Sequence, residues 1–513
     1  MLRRFGRIVL VLVLALAVGR LAAQISVLEV AAGGYHSLLL RSDGRVSAAG
    51  YNGYGGLGTG TLTSSGVFVA IPALTNIVAV RGGTYHSLAV RSDGTLWAFG
   101  YNGFGQLGNG GFANVLTPAP VAGIGGVAAV AAGDNHSLFL LTGGAVLAVG
   151  RNSSGQLGNG TQTTSPTPVA TGITNAIAVA AGANHSLALL ADGTVRAWGD
   201  NFAGQLGLGT TGTTVSTPTP IPGLAGVQAI AAGTNHSTVR LADGTLRAFG
   251  DNSYGQLGNG TQTTSGSPVV VLNATGITAI RAAGSHNLAL KADGTLWSWG
   301  GNGYGQLGNG TNALGLAAAP VSIAGPIAAF AAGGSHSLAI GATGGLYSWG
   351  YDLYGQLANG GLSGGSLPGP MTRTWALYPG SAEGLNLATG VAGPATAAPP
   401  FDLKTATVGQ AVTVTLSGAA FAANPGILAA EVFLTGTPPQ PLASFPVIHL
   451  HPALAFVIAD TSPFPLGVNG IAVGAPVPAG LAGQSLMLQG VAVSASAANG
   501  FFAASDGHEL RFL

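Results

Sequence analysis

Seven histidines recur along the chain at intervals of 50, 50, 49, 51, 50 and 50 residues, and they are the first candidates for chemistry. They are His36, His86, His136, His185, His236, His286 and His336. Imidazole is a common metal ligand, but a metal needs its ligands within about 2.0–2.1 Å of one centre. Side chains from seven separate repeats do not converge in that way. We therefore interpret them as structural residues whose ring nitrogens bridge backbone groups, and expect no metal.

Motifs for other kinds of catalysis are missing from the sequence. The chain has no cysteine, which excludes thiol catalysis, disulfides and cysteine-based zinc sites. It has no P-loop or H-E-x-x-H motif. Its 16 acidic residues are spread over 513 positions, many in turns, which gives little basis for a glycosidase or a calcium site. We expect a protein that is not an enzyme and needs no cofactor.

Charge and hydropathy exclude two further classes of protein. The chain has 17 basic and 16 acidic residues, a net charge of +1, and no cluster of Lys and Arg after residue 7. Nucleic-acid binding needs such a cluster to displace counterions, so we exclude it. Mean hydropathy is +0.46. Even so, no run of about 18 apolar residues follows residue 20, so the mature chain should contain no integral membrane segment.

The N-terminus has the pattern of an export signal. Three arginines among residues 1–7 precede an apolar stretch at 8–18, and small residues end at Ala23. This pattern predicts a secretory signal peptide over 1–23. An uncleaved anchor is the alternative, but 11 apolar residues are short for a membrane span of about 20. We expect a secreted or cell-envelope protein.

The elements that position the histidines are short strands. Each histidine begins an apolar run that meets a turn such as Asp93-Gly94, a strong hairpin signal, and a return strand such as 96–99 rich in β-formers follows. A glycine-rich loop, such as 152–160, and two further strands complete the unit; its glycines are expected at a close backbone crossing. Four strands per repeat of about 50 residues predict one propeller blade, and seven repeats an all-β, seven-bladed β-propeller over 24–375. Tryptophans are expected to pack between blades, namely Trp97, Trp198, Trp297, Trp299 and Trp349.

The repeat A-G-x-x-H-S-L, D-G, W-x-W/F-G, N-x-x-G-Q-L-G-x-G resembles that of the regulator of chromosome condensation family, over residues 25–372. The sequence resembles a secreted bacterial type of this family. The resemblance implies a seven-bladed propeller in which the repeats are offset from the blades, so that a terminal strand closes the ring. We therefore predict that Ser366–Met371 pairs beside the first blade. The family includes exchange factors for a nuclear GTPase and secreted bacterial inhibitors of β-lactamase. The matching residues are scaffold residues and transfer neither activity. The exchange role fits worst with a signal peptide.

Binding residues should lie where the repeats differ, at two positions flanking the repeated asparagine of the glycine-rich loop. The candidates are Tyr51, Tyr54, Tyr101, Phe104, Arg151, Tyr254, Tyr304, Tyr351 and Tyr354. Tyrosine, phenylalanine and arginine on a rigid scaffold are favoured in protein interfaces. The alternative is that these aromatic rings only shield glycine-rich backbone.

The repeat stops near residue 376, and residues 376–513 predict a second, β-sandwich-like domain. It contains a Pro/Ala-rich stretch at 391–400 and strands at 407–418, 430–434, 447–450, 454–458, 485–493 and 509–513. His449 and His451 share one face of a strand, but a third metal ligand is missing.

Taken together, these features predict an exported, monomeric, non-enzymatic scaffold that binds an unidentified protein or a surface glycan through one loop face. Two alternatives stay open: an inhibitor of a secreted enzyme such as a β-lactamase, and a polysaccharide-binding or polysaccharide-active propeller.

Overall fold

The structure, a computed structural model, describes residues 25–372 and the backbone of eight strands between 386 and 512. Four predicted features lie outside the described residues: the signal peptide, the Pro/Ala-rich stretch, the strands at 447–450 and 454–458, and the pair His449 and His451. Within the described part, no helix has the length and apolarity needed to cross a membrane.

Twenty-eight strands form seven four-stranded antiparallel sheets, each built from consecutive strands. The innermost strands are β1 (Val27–Ala32), β5 (Ile77–Gly82), β9 (Val127–Ala132), β13 (Ala176–Ala181), β17 (Val227–Ala232), β21 (Ile277–Ala283) and β25 (Ile327–Ala332). The second strands, which begin at the repeated histidines, are β2 (His36–Arg41), β6 (His86–Arg91), β10 (His136–Leu141), β14 (His185–Leu190), β18 (His236–Leu241), β22 (His286–Lys291) and β26 (His336–Gly341).

The two outer strands of each sheet carry the return strand and the Thr/Ser/Pro-rich segment. The third strands are β3 (Val46–Gly50), β7 (Leu96–Gly100), β11 (Val146–Gly150), β15 (Val195–Asp200), β19 (Leu246–Gly250), β23 (Leu296–Gly300) and β27 (Leu346–Gly350). The fourth strands are β4 (Ser65–Ala70), β8 (Val115–Pro120), β12 (Ser165–Ala170), β16 (Thr214–Pro220), β20 (Ser265–Val270), β24 (Gly315–Pro320) and β28 (Gly365–Pro370). The seven-bladed propeller predicted from the repeat spacing is confirmed.

The core of the propeller lies between neighbouring blades. Trp198, Trp299 and Trp349 are fully buried, and each indole N–H donates to the backbone carbonyl of a glutamine on the preceding blade at 2.8–3.0 Å. Trp97 and Trp297 are only partly buried, and Arg91 and Lys291 lie over their rings. Three of the five tryptophans are thus core residues, whereas the other two retain an exposed part.

A closed ring of side-chain hydrogen bonds joins all seven blades. Each histidine Nε2 bonds a side chain on the next blade at 2.8–3.1 Å, a serine hydroxyl in six cases and Asn287 in the seventh. Each of these serines donates in turn to a loop carbonyl of the histidine's own blade, as Ser137 does to Gln106. The hydroxyl therefore accepts from Nε2–H. The expectation that the imidazoles bridge backbone groups was wrong: the main bridge runs to a side chain, because the ring reaches across the gap between blades.

The ring closes without strand exchange. The prediction that Ser366–Met371 pairs beside the first blade was wrong, because β28 pairs with β27 in the seventh blade. The first blade supplies all four of its own strands and therefore needs no strand from the end of the repeat region. Closure rests instead on Ser37, whose hydroxyl bonds His336 at 3.0 Å and donates to the Gln356 carbonyl at 2.7 Å. The Gly334 amide also donates to the Gly33 carbonyl at 3.1 Å.

The C-terminal region contains two further sheets. Its strands are β29 (Asn386–Thr389), β30 (Lys404–Ala406), β31 (Ala411–Ser417), β32 (Ile427–Phe433), β33 (Ala472–Pro476), β34 (Ser485–Val493), β35 (Phe502–Ala504) and β36 (His508–Phe512). One sheet has the order β29-β31-β33, and the other β30-β36-β34-β32 with β35 beside β34. All pairs are antiparallel except β30 with β36. The strands predicted at 407–418, 430–434, 485–493 and 509–513 overlap β31, β32, β34 and β36.

Candidate binding surface

The loop after the third strand is held by a repeated asparagine and glutamine in five of the seven blades; the first blade has Gly56 in place of the glutamine, and the seventh has Asp352 in place of the asparagine. In the second blade, Asn102 accepts the Leu107 amide at 3.0 Å and donates to the Gly111 carbonyl at 2.9 Å. The Gln106 side chain accepts the backbone N–H of Phe104 at 3.1 Å. The variable position two residues after the asparagine is therefore fixed by the two repeated side chains around it. An aromatic side chain there is displayed on a rigid support.

The glycines of this loop allow it to lie against the next blade. Gly155 has φ of 76°, and a Cβ atom at this position would lie 2.6 Å from the Cα of Ser216. No side chain fits at that distance, so the predicted close backbone crossing is confirmed. Each loop is consequently wedged between two blades, which limits its movement.

Nine aromatic residues form one continuous surface across the sixth, seventh, first and second blades. This tyrosine surface comprises Tyr35, Tyr51, Tyr54, Tyr85, Tyr101, Phe104, Tyr304, Tyr351 and Tyr354. The ring centroids of successive members lie 4.7–6.4 Å apart. Most members are half-buried, and Tyr304 is 55% exposed. Aromatic rings at these separations stabilise one another and hold the surface in place.

The structure joins eight of the nine sequence candidates to this surface. Arg151 reaches it from the third blade, with its guanidinium 5.3 Å from the Phe104 ring. Tyr254 on the fifth blade is 51% exposed and has no ring contact with the surface among the described residues. Tyr35 and Tyr85 were missed. Each directly precedes a repeated histidine, where the other blades have Asn or Ser, and this difference between repeats was the available signal.

Two of the rings also cover glycine backbone, as the alternative interpretation requires. A Cβ atom on Gly53 or Gly103 would lie 2.2–2.3 Å from the hydroxyl of Tyr51 or Tyr101, so these rings rest on the loop. Their other edges face the neighbouring rings. The pKa of Tyr85 is raised to about 12, mainly by burial and to a smaller extent by the repulsion of neighbouring phenols. The Tyr85 phenol is therefore a neutral hydrogen-bonding group at physiological pH.

A central channel of about 810 Å³ runs between the innermost strands. Its wall consists mainly of alanine and glycine, and it also includes Glu29, Arg81, Asp134 and Arg281. Among the described residues, no group of three or more His, Asp or Glu side chains is arranged to hold a metal ion.

Comparison with known proteins agrees with this architecture. The model of the RCC1-like domain family matches residues 15–226 and 125–375, well over half of the chain. No curated protein matches the sequence significantly. Among solved structures, human WBSCR16 has 25% identity and a TM-score of 0.59, covering 64% of this chain and 94% of that protein.

Two structures of the yeast protein Prp20 show the same fold. In its complex with Kap60 it has 23% identity and a TM-score of 0.59, covering 68% of this chain and 84% of that protein. The second structure is of Prp20p from Saccharomyces cerevisiae, reported together with its binding to Gsp1p and histones. It has 24% identity and a TM-score of 0.58, covering 68% of this chain and 86% of that protein. With the family model matching from residue 15 to residue 375 and seven blades built from its repeat, the chain belongs to the RCC1-like domain family.

Proposed function

We propose that this protein is an exported, non-enzymatic scaffold that binds a folded protein through the tyrosine surface. The observation that carries the proposal is the continuity of nine aromatic rings across four blades, joined by centroid separations of 4.7–6.4 Å. Export rests on the predicted signal peptide at 1–23.

The chemistry of the surface favours a protein partner. Tyrosine offers a large contact area and a hydroxyl with few rotatable bonds, so little conformational entropy is lost on binding. The loops beneath the rings are already held by hydrogen bonds such as those of Asn102 and Gln106, which lowers the ordering cost further. The phenol hydroxyls contribute hydrogen bonds, and the one charged group, Arg151, lies at the rim of the surface.

The relatives support the general role. The RCC1-like propeller is in general a protein-binding scaffold, and a crystal structure shows yeast Prp20 bound to Kap60. Kap60, Gsp1p and histones are partners of Prp20 and are not transferred to this chain, because a similarity at 23–24% identity establishes only the shared fold. For this chain, inhibition of an exported enzyme such as a β-lactamase is the form of protein binding that suits the proposed compartment best.

The test uses tyrosines at one repeat position. Tyr54 and Tyr354 lie within the tyrosine surface, whereas Tyr254 occupies the same position on the fifth blade outside it. The third blade has Ser154 there, so serine is compatible with the loop. The full chain, the double variant Tyr54→Ser/Tyr354→Ser and the control Tyr254→Ser are each immobilised and exposed to culture medium and envelope extract from the source organism.

We expect a saturable protein partner that the control retains and the double variant loses. Truncating an interface hot spot costs about 2 kcal/mol or more, so Kd should rise at least roughly 30-fold. Equal retention by all three proteins would refute the tyrosine surface as the site. Retention of polysaccharide without protein would favour the glycan alternative. If the captured protein is an enzyme, its activity with and without the scaffold distinguishes an inhibitor from an adaptor.

A further inference from the structure

Three charged residues stand in the central channel where the repeat otherwise has alanine. Arg81 and Arg281 occupy the position five residues before the repeated histidine, and the other five blades have alanine there. Glu29 occupies the position seven residues before it, and the other six blades have alanine. All three lie on innermost strands and line the channel. In a chain with only 6% charged residues, these replacements put a specific charge pattern into a wall where Asp134 is the one other charged residue among those described.

The charges at these three positions do not balance. Glu29 is fully engaged, because one carboxylate oxygen bonds the Arg81 guanidinium and the other accepts the Val80 amide at 3.2 Å. Arg281 has no ion pair within residues 25–372. Its guanidinium donates to the Ile280 carbonyl at 2.9 Å and lies 5.6 Å from the centre of the Phe330 ring. At the three replaced positions, two guanidiniums stand against one carboxylate. The other carboxylate of the wall, Asp134, lies beyond the end of β9, accepts from the Thr84 hydroxyl at 2.7 Å and forms no ion pair with Arg281 within residues 25–372.

The guanidinium of Arg281 is open to the channel, while the innermost strands surround it. Burial and the repulsion of Arg81 lower its pKa, and the attraction of Glu29 only partly offsets this. An arginine nevertheless remains charged in a protein. The repulsion between the two guanidiniums is therefore offset by a bound anion rather than by deprotonation. A guanidinium in a confined cavity attracts an oxyanion more strongly than one in open water, and it offers the fork geometry that a carboxylate accepts.

The rest of the cavity indicates what the anion is attached to. Alanine side chains form most of the wall, and Tyr35, Tyr254 and Tyr304 line the same space. A volume of about 810 Å³ lies within the range of about 300–1,000 Å³ usual for small-molecule sites. We propose that the central channel binds a small organic carboxylate, whose single negative charge is held by Arg281 and Arg81 and whose apolar body contacts the alanine and tyrosine wall.

The probe is sodium benzoate, titrated into the full chain by calorimetry at low ionic strength. Benzamide is the neutral probe of the same shape, and inorganic phosphate is an anion without an apolar body. Arg281→Ala introduces the residue that five blades already carry, so it suits the fold. Arg247→Ala is the matched control, because Arg247 also donates to the carbonyl before it but lies on β19, outside the channel.

We expect benzoate to bind at one site per chain, and benzamide and phosphate at least tenfold more weakly. Arg281→Ala should weaken benzoate binding at least tenfold, and Arg247→Ala should change it less than twofold. Glu29→Gln should strengthen it several-fold, because Arg81 is freed from its partner. This gain does not depend on how well Arg281→Ala folds.

Two results would overturn the proposal: no saturable benzoate binding by the wild type and Glu29→Gln, or benzoate binding to folded Arg281→Ala as to the wild type. Phosphate binding as tightly as benzoate would overturn the part that assigns an apolar body. The site is independent of the proposed protein partner, since Tyr54→Ser/Tyr354→Ser leaves all three charged residues in place.

Discussion

Acidification is expected to destabilise the propeller steeply, because its seven repeat histidines are buried and neutral. Burial lowers the pKa to about 3 or 4 at all seven positions, namely His36, His86, His136, His185, His236, His286 and His336. In an unfolded chain a histidine has a pKa of about 6.5. The unfolded state therefore binds more protons between these values, and stability present above pH 6.5 is lost as the pH falls.

The magnitude follows from the difference between the two pKa values. At pH 5.5 each unfolded histidine is about nine-tenths protonated, which costs the folded state about 1.4 kcal/mol per histidine relative to pH 7.5. Seven such residues amount to about 10 kcal/mol, comparable with the total stability of about 5–15 kcal/mol usual for a folded protein. The turn aspartates such as Asp93, whose pKa is lowered by Thr95, act at more acidic pH.

The assay is urea unfolding of the full chain at pH 7.5, 6.5 and 5.5, followed by far-ultraviolet circular dichroism. We expect the free energy of unfolding to fall by about 8–10 kcal/mol over this range. The comparison variant is His286→Gln, whose amide can still donate to Ser337. Its deficit relative to the wild type should shrink by about 1.4 kcal/mol between pH 7.5 and 5.5, since one titrating group is gone. A total change below about 3 kcal/mol, or a constant deficit, would refute the reasoning.

Two further predictions concern the seventh blade. Asp352 stands where the other loops have asparagine, and burial raises its pKa to about 6. Asp352→Asn should therefore stabilise the chain by roughly 1–2 kcal/mol at pH 7.5, after allowance for solvent screening, with the gain shrinking toward pH 5 as the carboxyl protonates. Urea unfolding beside the reverse change Asn302→Asp measures this, and equal stabilities would contradict it. Deleting residues 366–372 should remove hydrogen-exchange protection from β27 but leave β1 protected; loss at β1 would instead indicate that this strand closes the ring.

Local chemistry within each repeat determines most of the fold. The histidine spacing, the Asp-Gly turns and the alternating apolar strands are properties of single repeats of about 50 residues, so the blade count and most strand positions follow from the sequence. The roles of the glycines also follow, because a left-handed residue at a backbone crossing, such as Gly155, admits no side chain. Differences between copies singled out the loop positions of Tyr54 and Tyr354, and the structure places both rings in the tyrosine surface.

Contacts between blades were decided only by the tertiary structure. Which strand closes the ring depends on where the sequence repeat begins relative to the four-stranded blade. Local sequence preferences do not determine that starting point. The partner of each imidazole is a side chain about 50 residues away along the closed ring, as Ser137 is for His86, and its distance depends on how adjacent blades pack. Tyr85 joins Tyr54 for the same reason. The sequence by itself thus determined the blades, whereas the closed ring decided which side chains meet: Arg81 and Arg281 are 200 residues apart, and only the shared channel brings their charges together.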